Sequence, residues 1–266
     1  MTSDADVSEF TQAYAPHRSR SRHRALFGVA LIALHSLFCN PLAAIELSSL
    51  EWPPYSGADL PGQGSLSELL RRALASQDTP LLIHFQPWSR AIRSATTEPD
   101  IVGYFPRYFA DDQLCLYSDS IGTSRVGLAT RSDLSVSWDQ LEDLRTYRIG
   151  VVRGYRNVPE FDALVADGTL KVKEAANDQL NLLKLVYGRL DLAVIDEQVM
   201  QHWLSHEPLL RQNADKLTFA KQLLGEPTMH VCFIPGEAGE QARLLLNQGL
   251  QQIQHYQASG SGNAGR

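Results

Sequence analysis

From residue 45 onward the chain alternates short apolar runs with amphipathic stretches, and it does so twice. Runs at 45–50, 81–85 and 100–105 read as strands, separated by helical patterns at 65–75 and 88–95. In 65–75 the apolar residues fall at 66, 69, 70, 73 and 74, the spacing of one helix face. Ser65 followed by Glu68 predicts a capping box there. Strands at 114–116 and 125–130 lead out of this first unit. A second unit begins with a helix at 138–144, capped by Ser137, and a strand at 148–153. It continues with a helix at 158–166 closed by Gly168, a strand at 170–174 and a helix at 178–187. A strand at 190–195 and a helix at 199–205 complete it. An extended run at 217–223, a strand at 229–234 and a helix from about 237 to 256 finish the pattern. Such alternation predicts an α/β fold of open, mostly parallel sheets with crossover helices.

The second unit has no room for a long carboxyl-terminal extension of its own. The simplest packing returns the last strand and helix to the first unit. This gives two lobes, 45–124 with 223–257 and 125–222, joined by crossings near 121–130 and 217–228. The Gly/Ser-rich tail 258–266 is predicted to be disordered. A cleft between two lobes suits a small molecule, and hinge closure is the motion such an arrangement predicts.

The first 44 residues read as a signal peptide. Arg18, Arg20, Arg22 and Arg24 precede an apolar run from 25 to 38, and Leu42-Ala43-Ala44 supplies small residues for cleavage before Ile45. The run is short for a membrane-spanning helix, so export to a bacterial periplasm is expected. Leaving out these residues removes four arginines and three acids from a chain of net charge −6, so the remainder stands at −7. That balance, without a basic stripe, argues against a nucleic-acid partner. Two cysteines remain, Cys115 and Cys232. An oxidising compartment permits a disulfide between them, while the apolar strands that hold them favour two buried free thiols.

Chemistry-bearing patterns are few. Phosphate-loop, EF-hand and zinc spacings are absent from the sequence. His202 and His206 stand four apart on a helix with no third ligand, which reads as a solvated face rather than a metal site. No nucleophile elbow occurs, and acid pairs such as Asp111-Asp112 are too common to imply glycoside chemistry. The most pointed stretch is Gly188-Arg189-Leu190-Asp191, whose strand ends in Asp196-Glu197. The carboxyl end of such a strand is where open α/β sheets bind ligands. Asp196 there either meets a ligand cation or caps the next helix.

With that stretch, three others carry a resemblance: Trp52-Pro53-Pro54-Tyr55 after the first strand, Tyr117-Ser118-Asp119-Ser120 before the crossing, and Ile149-Gly150-Val151-Val152-Arg153-Gly154-Tyr155 in the second unit. In this order the chain resembles the family 3 bacterial extracellular solute-binding proteins, the polar amino-acid type, over essentially all of 45–256. The resemblance implies a two-lobe type II periplasmic-binding-protein fold, monomeric and without a cofactor. It implies a non-enzymatic binder that closes on a small polar solute, an amino acid or related amine or carboxylate, for an inner-membrane ABC permease. A ligand-sensing module for a membrane receptor is the alternative. A dehydratase on the same scaffold, using Glu174, Asp196 or Glu197, is a further one. Trp52, Tyr55 and Trp88 match the aromatics that stack on the ligand, and Gly154, Tyr155 and Arg156 match the main-chain anion site at a helix start. Asp196 matches the acid that holds the ligand ammonium. The chain departs from the family after the third strand. The Ser/Thr-rich run and its carboxylate-gripping Arg are replaced by Gly103-Tyr104-Phe105-Pro106-Arg107-Tyr108-Phe109-Ala110-Asp111-Asp112. Arg107 and Arg90 are the candidates for that grip, and Tyr104 for the missing hydroxyl donors.

Overall fold

The computed structural model describes residues 44–261. Nearly all of the predicted signal peptide, and the last five residues of the predicted tail, lie outside the described residues. Two sheets carry the fold. The first holds β1 (Ile45–Ser49), β2 (Leu81–Phe85), β3 (Ile101–Tyr108), β4 (Leu116–Tyr117), β5 (Gly122–Thr123) and β11 (Thr228–Phe233). Its order is β2-β1-β3-β11-β4, with β5 also on β11. The second holds β6 (Val126–Arg131), β7 (Ile149–Val152), β8 (Val172–Ala175), β9 (Leu192–Asp196) and β10 (Leu217–Phe219), in the order β10-β6-β9-β7-β8. Read from β8, the second sheet repeats the first. Three mutually parallel strands are followed by one antiparallel strand that enters straight after a crossing, then by an edge strand. Both sheets are therefore mixed, with a parallel half and an antiparallel half.

Helices cover both faces of each sheet. In the first lobe α1 (Ser65–Ala75) packs against the long α7 (Glu237–Ser261) on one face, and α2 (Trp88–Thr97) lies on the other. The period-2 alternation of β1 assigns the faces: Leu47 packs among Leu70, Leu74 and Leu246, while Ser48 donates to the Ala91 carbonyl of α2 at 2.6 Å. In the second lobe α4 (Asp178–Val186), α5 (Glu197–His206) and α6 (Pro208–Gln212) share one face, and α3 (Pro159–Ala166) takes the other. Strand β9 is buried on both sides. Its Ala193 and Ile195 join the cluster under α4 and α5, and its Leu192 and Val194 join the cluster with Phe161 of α3. Leu192, Val194 and Ile195 each contribute about 1.5–3 kcal/mol on full burial, which explains why this run is so uniformly apolar.

The chain leaves the first sheet at Ser124 and Arg125 and returns through 220–227. The two passages are stitched together. Ser124 N–H donates to the Pro227 carbonyl at 3.0 Å, Val126 N–H to Gly225 at 3.0 Å, and Leu224 N–H to Val126 at 2.9 Å. No described helix is long and apolar enough to cross a membrane.

Several local expectations are corrected. Gly64, at φ +97°, stands at the N-cap of α1, and Ser65 is already inside the helix, so no capping box forms. The predicted helix at 138–144 is a short 3-10 segment, Leu141–Thr146, capped reciprocally by Gln140 and Asp143 rather than by Ser137. Strand β3 runs three residues beyond Phe105. Its pairing with β1 ends at Tyr104, and its register with β11 is interrupted between His230 and Cys232, so Pro106 sits where no ladder donor is required. Cys115 and Cys232 form a disulfide, with Cα atoms 5.0 Å apart, on the α2 side of the first sheet; they are not free thiols.

Candidate functional site

Four strand ends converge on the space between the lobes. After β1 the chain makes a tight turn in which Trp52 N–H bonds the Ser56 carbonyl at 2.8 Å and Ser56 N–H returns to Trp52 at 3.1 Å. The turn fixes the Trp52 ring, whose centroid lies 4.7 Å from Tyr55 and 6.5 Å from Tyr108. Trp88 opens α2, and its indole N–H crosses the cleft to the Gly154 carbonyl at 2.9 Å. Gly154 follows β7 at φ +78°, a conformation that side chains with a Cβ rarely adopt. That turn brings Tyr155 within 6.2 Å of Trp88, ring to ring. The extension of β3 past Pro106 delivers Arg107 and Tyr108 to the same space.

Together these segments enclose a cavity of about 660 Å³. Trp52, Trp88, Arg107, Tyr108 and Phe109 line it from the first lobe, and Gly154, Tyr155, Arg156, Asp162 and Ala163 from the second. Six of the ten sequence-derived residues therefore meet here: Trp52, Trp88, Arg107, Gly154, Tyr155 and Arg156. The other four stand elsewhere. Arg90 is exposed on α2. Tyr104 is buried behind Arg107, to whose guanidinium it is hydrogen-bonded. Tyr55 is buried beneath Trp52 and donates its hydroxyl proton to Asp196 at 3.2 Å.

Asp196 caps α5, accepting the Val199 N–H on Oδ1 at 3.0 Å. Its Oδ2 accepts from Ser124 Oγ at 2.6 Å, Arg125 N–H at 3.1 Å and Tyr55. One carboxylate thus joins the first lobe, a crossing segment and the second lobe. Burial pushes its pKa up, against the lowering effect of the bonds from Ser124, Val199 and Tyr55. Around it Arg125 pairs with Glu197 at 2.7 Å and with Glu226, on the return passage, at 3.5 Å.

The charges at the cavity are sharply organised. Burial disfavours the Arg107 cation, but Tyr117, Tyr104 and Asp112 more than offset it and hold it protonated. Arg107 donates to Tyr117 at 3.0 Å and to Asp112 at 2.8 Å. Arg156, from the other lobe, donates to the same Asp112 oxygen at 3.1 Å. The anion-binding amides expected at 154–156 are partly used within the turn: Tyr155 N–H bonds the Val152 carbonyl at 3.1 Å.

Two residues that sequence reasoning did not select stand out. Asp178, the first residue of α4, is 3 % exposed beneath the rings. It accepts from Tyr155 at 3.4 Å. Burial, with the Asp196 charge nearby, raises its pKa to about 7 despite that bond. In sequence it is an ordinary first-turn acid behind the Asn177 cap, and only tertiary packing buries it. Asp112 is the other. Its neighbourhood was legible as a departure from the family pattern, but its partners were not.

No protein-family model matches the sequence, and no curated protein does. Solved structures are similar in fold. A histidine kinase sensor domain with similarity to periplasmic binding proteins shares 18% identity at a TM-score of 0.67, covering 85% of this chain and 97% of that one. An ancestral arginine-binding protein bound to arginine shares 18% at 0.65, covering 81% and 94%. The GluR0 ligand-binding core from Nostoc punctiforme, in complex with glutamate, shares 15% at 0.64, covering 82% and 96%. At these identities the likeness establishes the fold: this chain has the two-lobe periplasmic-binding-protein architecture.

Proposed function

We propose that this chain is a non-enzymatic solute-binding protein of the family 3 type, exported through its first 44 residues, which holds a small polar solute between its lobes. The observation that carries the reading is the cavity lined from both lobes by aromatic rings, Trp52, Trp88 and Tyr155 among them, and by two arginines, Arg107 and Arg156. Rings take the apolar body of a solute and arginines its acidic group. Asp196 receives a solute cation only where the Tyr55 hydroxyl gives way, because its oxygens are already engaged. An amino acid or related carboxylate fits this balance better than a simple amine. The similar arginine- and glutamate-bound structures support a ligand of this kind.

Delivery to an ABC permease and signalling to a membrane receptor use the same closed cleft. The similarity to a sensor domain over 85% of the chain supports keeping the second beside the first. Calorimetric titration of the purified protein against amino acids, mono- and dicarboxylates and polyamines tests the binding reading. We expect at least one carboxylate-bearing compound to bind below millimolar and Arg107→Gln to weaken it at least tenfold. A panel without hits, or a hit indifferent to Arg107→Gln, contradicts it.

A further inference from the structure

We infer that Asp112 is a built-in occupant of the cleft's anion site: its carboxylate latches the lobes together until an acidic solute displaces it. The displacement half of this inference rests on the solute-binding reading; the latch half does not.

Asp112 lies on the loop between β3 and β4, in the first lobe. Its Oδ2 takes Arg107 Nη2 from its own lobe at 2.8 Å and Arg156 Nη2 from the other lobe at 3.1 Å. Its Oδ1 faces Leu114 N–H at 3.3 Å and the Tyr117 hydroxyl at 3.5 Å. Two guanidiniums, a phenol and a main-chain amide around one carboxylate are the set a bound acidic solute would be given. Arg107 and Arg156 are the only cationic side chains among the described residues that line the cavity. Both are spent on Asp112. Other nearby arginines are committed elsewhere, Arg153 to Glu174 and Arg125 to Glu197. Asp162, the acid that lines the opposite wall, is held by Asn157 at 2.8 and 2.9 Å and does not compete.

The loop that carries Asp112 also exposes Phe109 and Leu114, 56 % and 65 % accessible, at the cavity edge. If a solute acid takes the two arginines, Asp112 swings out and these apolar side chains are free to cover the solute. Apart from Asn157 and Asp162, which hold each other, the remaining lining, with Trp52, Trp88 and Ile92, is aromatic or aliphatic. The solute class that matches is therefore a carboxylate on an apolar or aromatic body. Closure without solute and competition for solute are two consequences of one ion pair.

Small-angle scattering of solute-free protein reads the latch. Trp88 also spans the lobes, so Arg156→Gln is compared in the wild-type and the Trp88→Phe backgrounds. We expect Arg156→Gln to increase the radius of gyration in at least the second. In 1 M NaCl, where the Debye length falls to about 3 Å, we expect Trp88→Phe to expand and the double variant to stay as it was. Equal radii with and without Arg156 in both backgrounds overturn the latch. Titration of a carboxylate hit reads the competition. Asp112→Asn should bind it about three- to tenfold tighter, the scale of releasing one partly exposed ion pair. Equal or weaker binding overturns the shared site. Expansion without any hit in the panel leaves the latch standing and brings down the solute-binding reading instead.

Discussion

Replacing Asp178 by Asn should stabilise the protein by a margin that grows as pH rises from mild acid to above neutral. Asp178 is 3 % exposed and its pKa is raised to about 7, first by burial and then by the Asp196 charge. A carboxyl whose folded pKa lies above its unfolded value binds protons more tightly when folded. Its contribution is fully present below the unfolded pKa, near 3.8, and is lost as pH rises through 7. At about 1.4 kcal/mol per pH unit, the loss between pH 5 and 8 amounts to about 3 kcal/mol. Asn is nearly isosteric, carries no charge, and keeps an oxygen to accept from Tyr155. Asp196 has the same sign of shift and adds to the same trend. The assay is urea unfolding at pH 5, 6.5 and 8, with stability extrapolated to zero urea. The wild type should weaken over this range and Asp178→Asn should be flatter, the gap between the two curves widening by about 2–3 kcal/mol from pH 5 to pH 8. Parallel curves, or a variant less stable than the wild type at pH 8, would refute the reasoning. Either would mean that the carboxylate is solvated or paired in the folded protein.

Other outcomes follow from single features. Replacing Cys115 and Cys232 together by Ser opens a loop of 117 residues and should cost about 3–5 kcal/mol in denaturant unfolding; an unchanged midpoint would show the disulfide to be thermodynamically idle. Asp196→Ala removes a helix cap together with the partners of Ser124 and Tyr55, and should lower unfolding stability by about 2–4 kcal/mol. A loss below about 0.5 kcal/mol, the usual range for a surface change, would remove Asp196 from the hinge. Gly249→Ala in α7 should destabilise by about 1–3 kcal/mol, although alanine ordinarily favours a helix by about 1 kcal/mol. A Cβ there would stand 2.0 Å from the Ala73 carbonyl of α1, and a raised melting temperature would contradict that packing.

The fold was legible because its information is local and periodic. The runs at 65–75 and 81–85 coincide with α1 and β2, since amphipathic spacing and turn residues bound both. The cap of α1 was misread because Ser65 and Glu68 fit a motif that Gly64 pre-empts: its backbone must pass against the Tyr55 carbonyl, where a Cβ would lie 2.5 Å away. The end of β3 was missed because Pro106 signals a strand stop, and only the register with β11 shows that no donor is needed there. The disulfide depends on two cysteines 117 residues apart, Cys115 just before β4 and Cys232 on β11, brought together where these strands pair, which no local pattern encodes. In the cleft, Trp52, Trp88 and Arg107 were readable as unusual residues at strand ends and helix starts. The burial of Asp178 and the two-armed grip on Asp112 were not, because each is made by residues from separate elements.

Hydrogen–deuterium exchange of the purified protein, with and without a saturating panel hit, tests the central claim that a solute is held between the lobes. The account predicts slower exchange in 109–115 and 154–163, which line the cavity, and in the crossings at 124–126 and 220–227. Exchange unchanged in all four segments, or protection confined to the shallow polar site around Gln201 and His202, would contradict it.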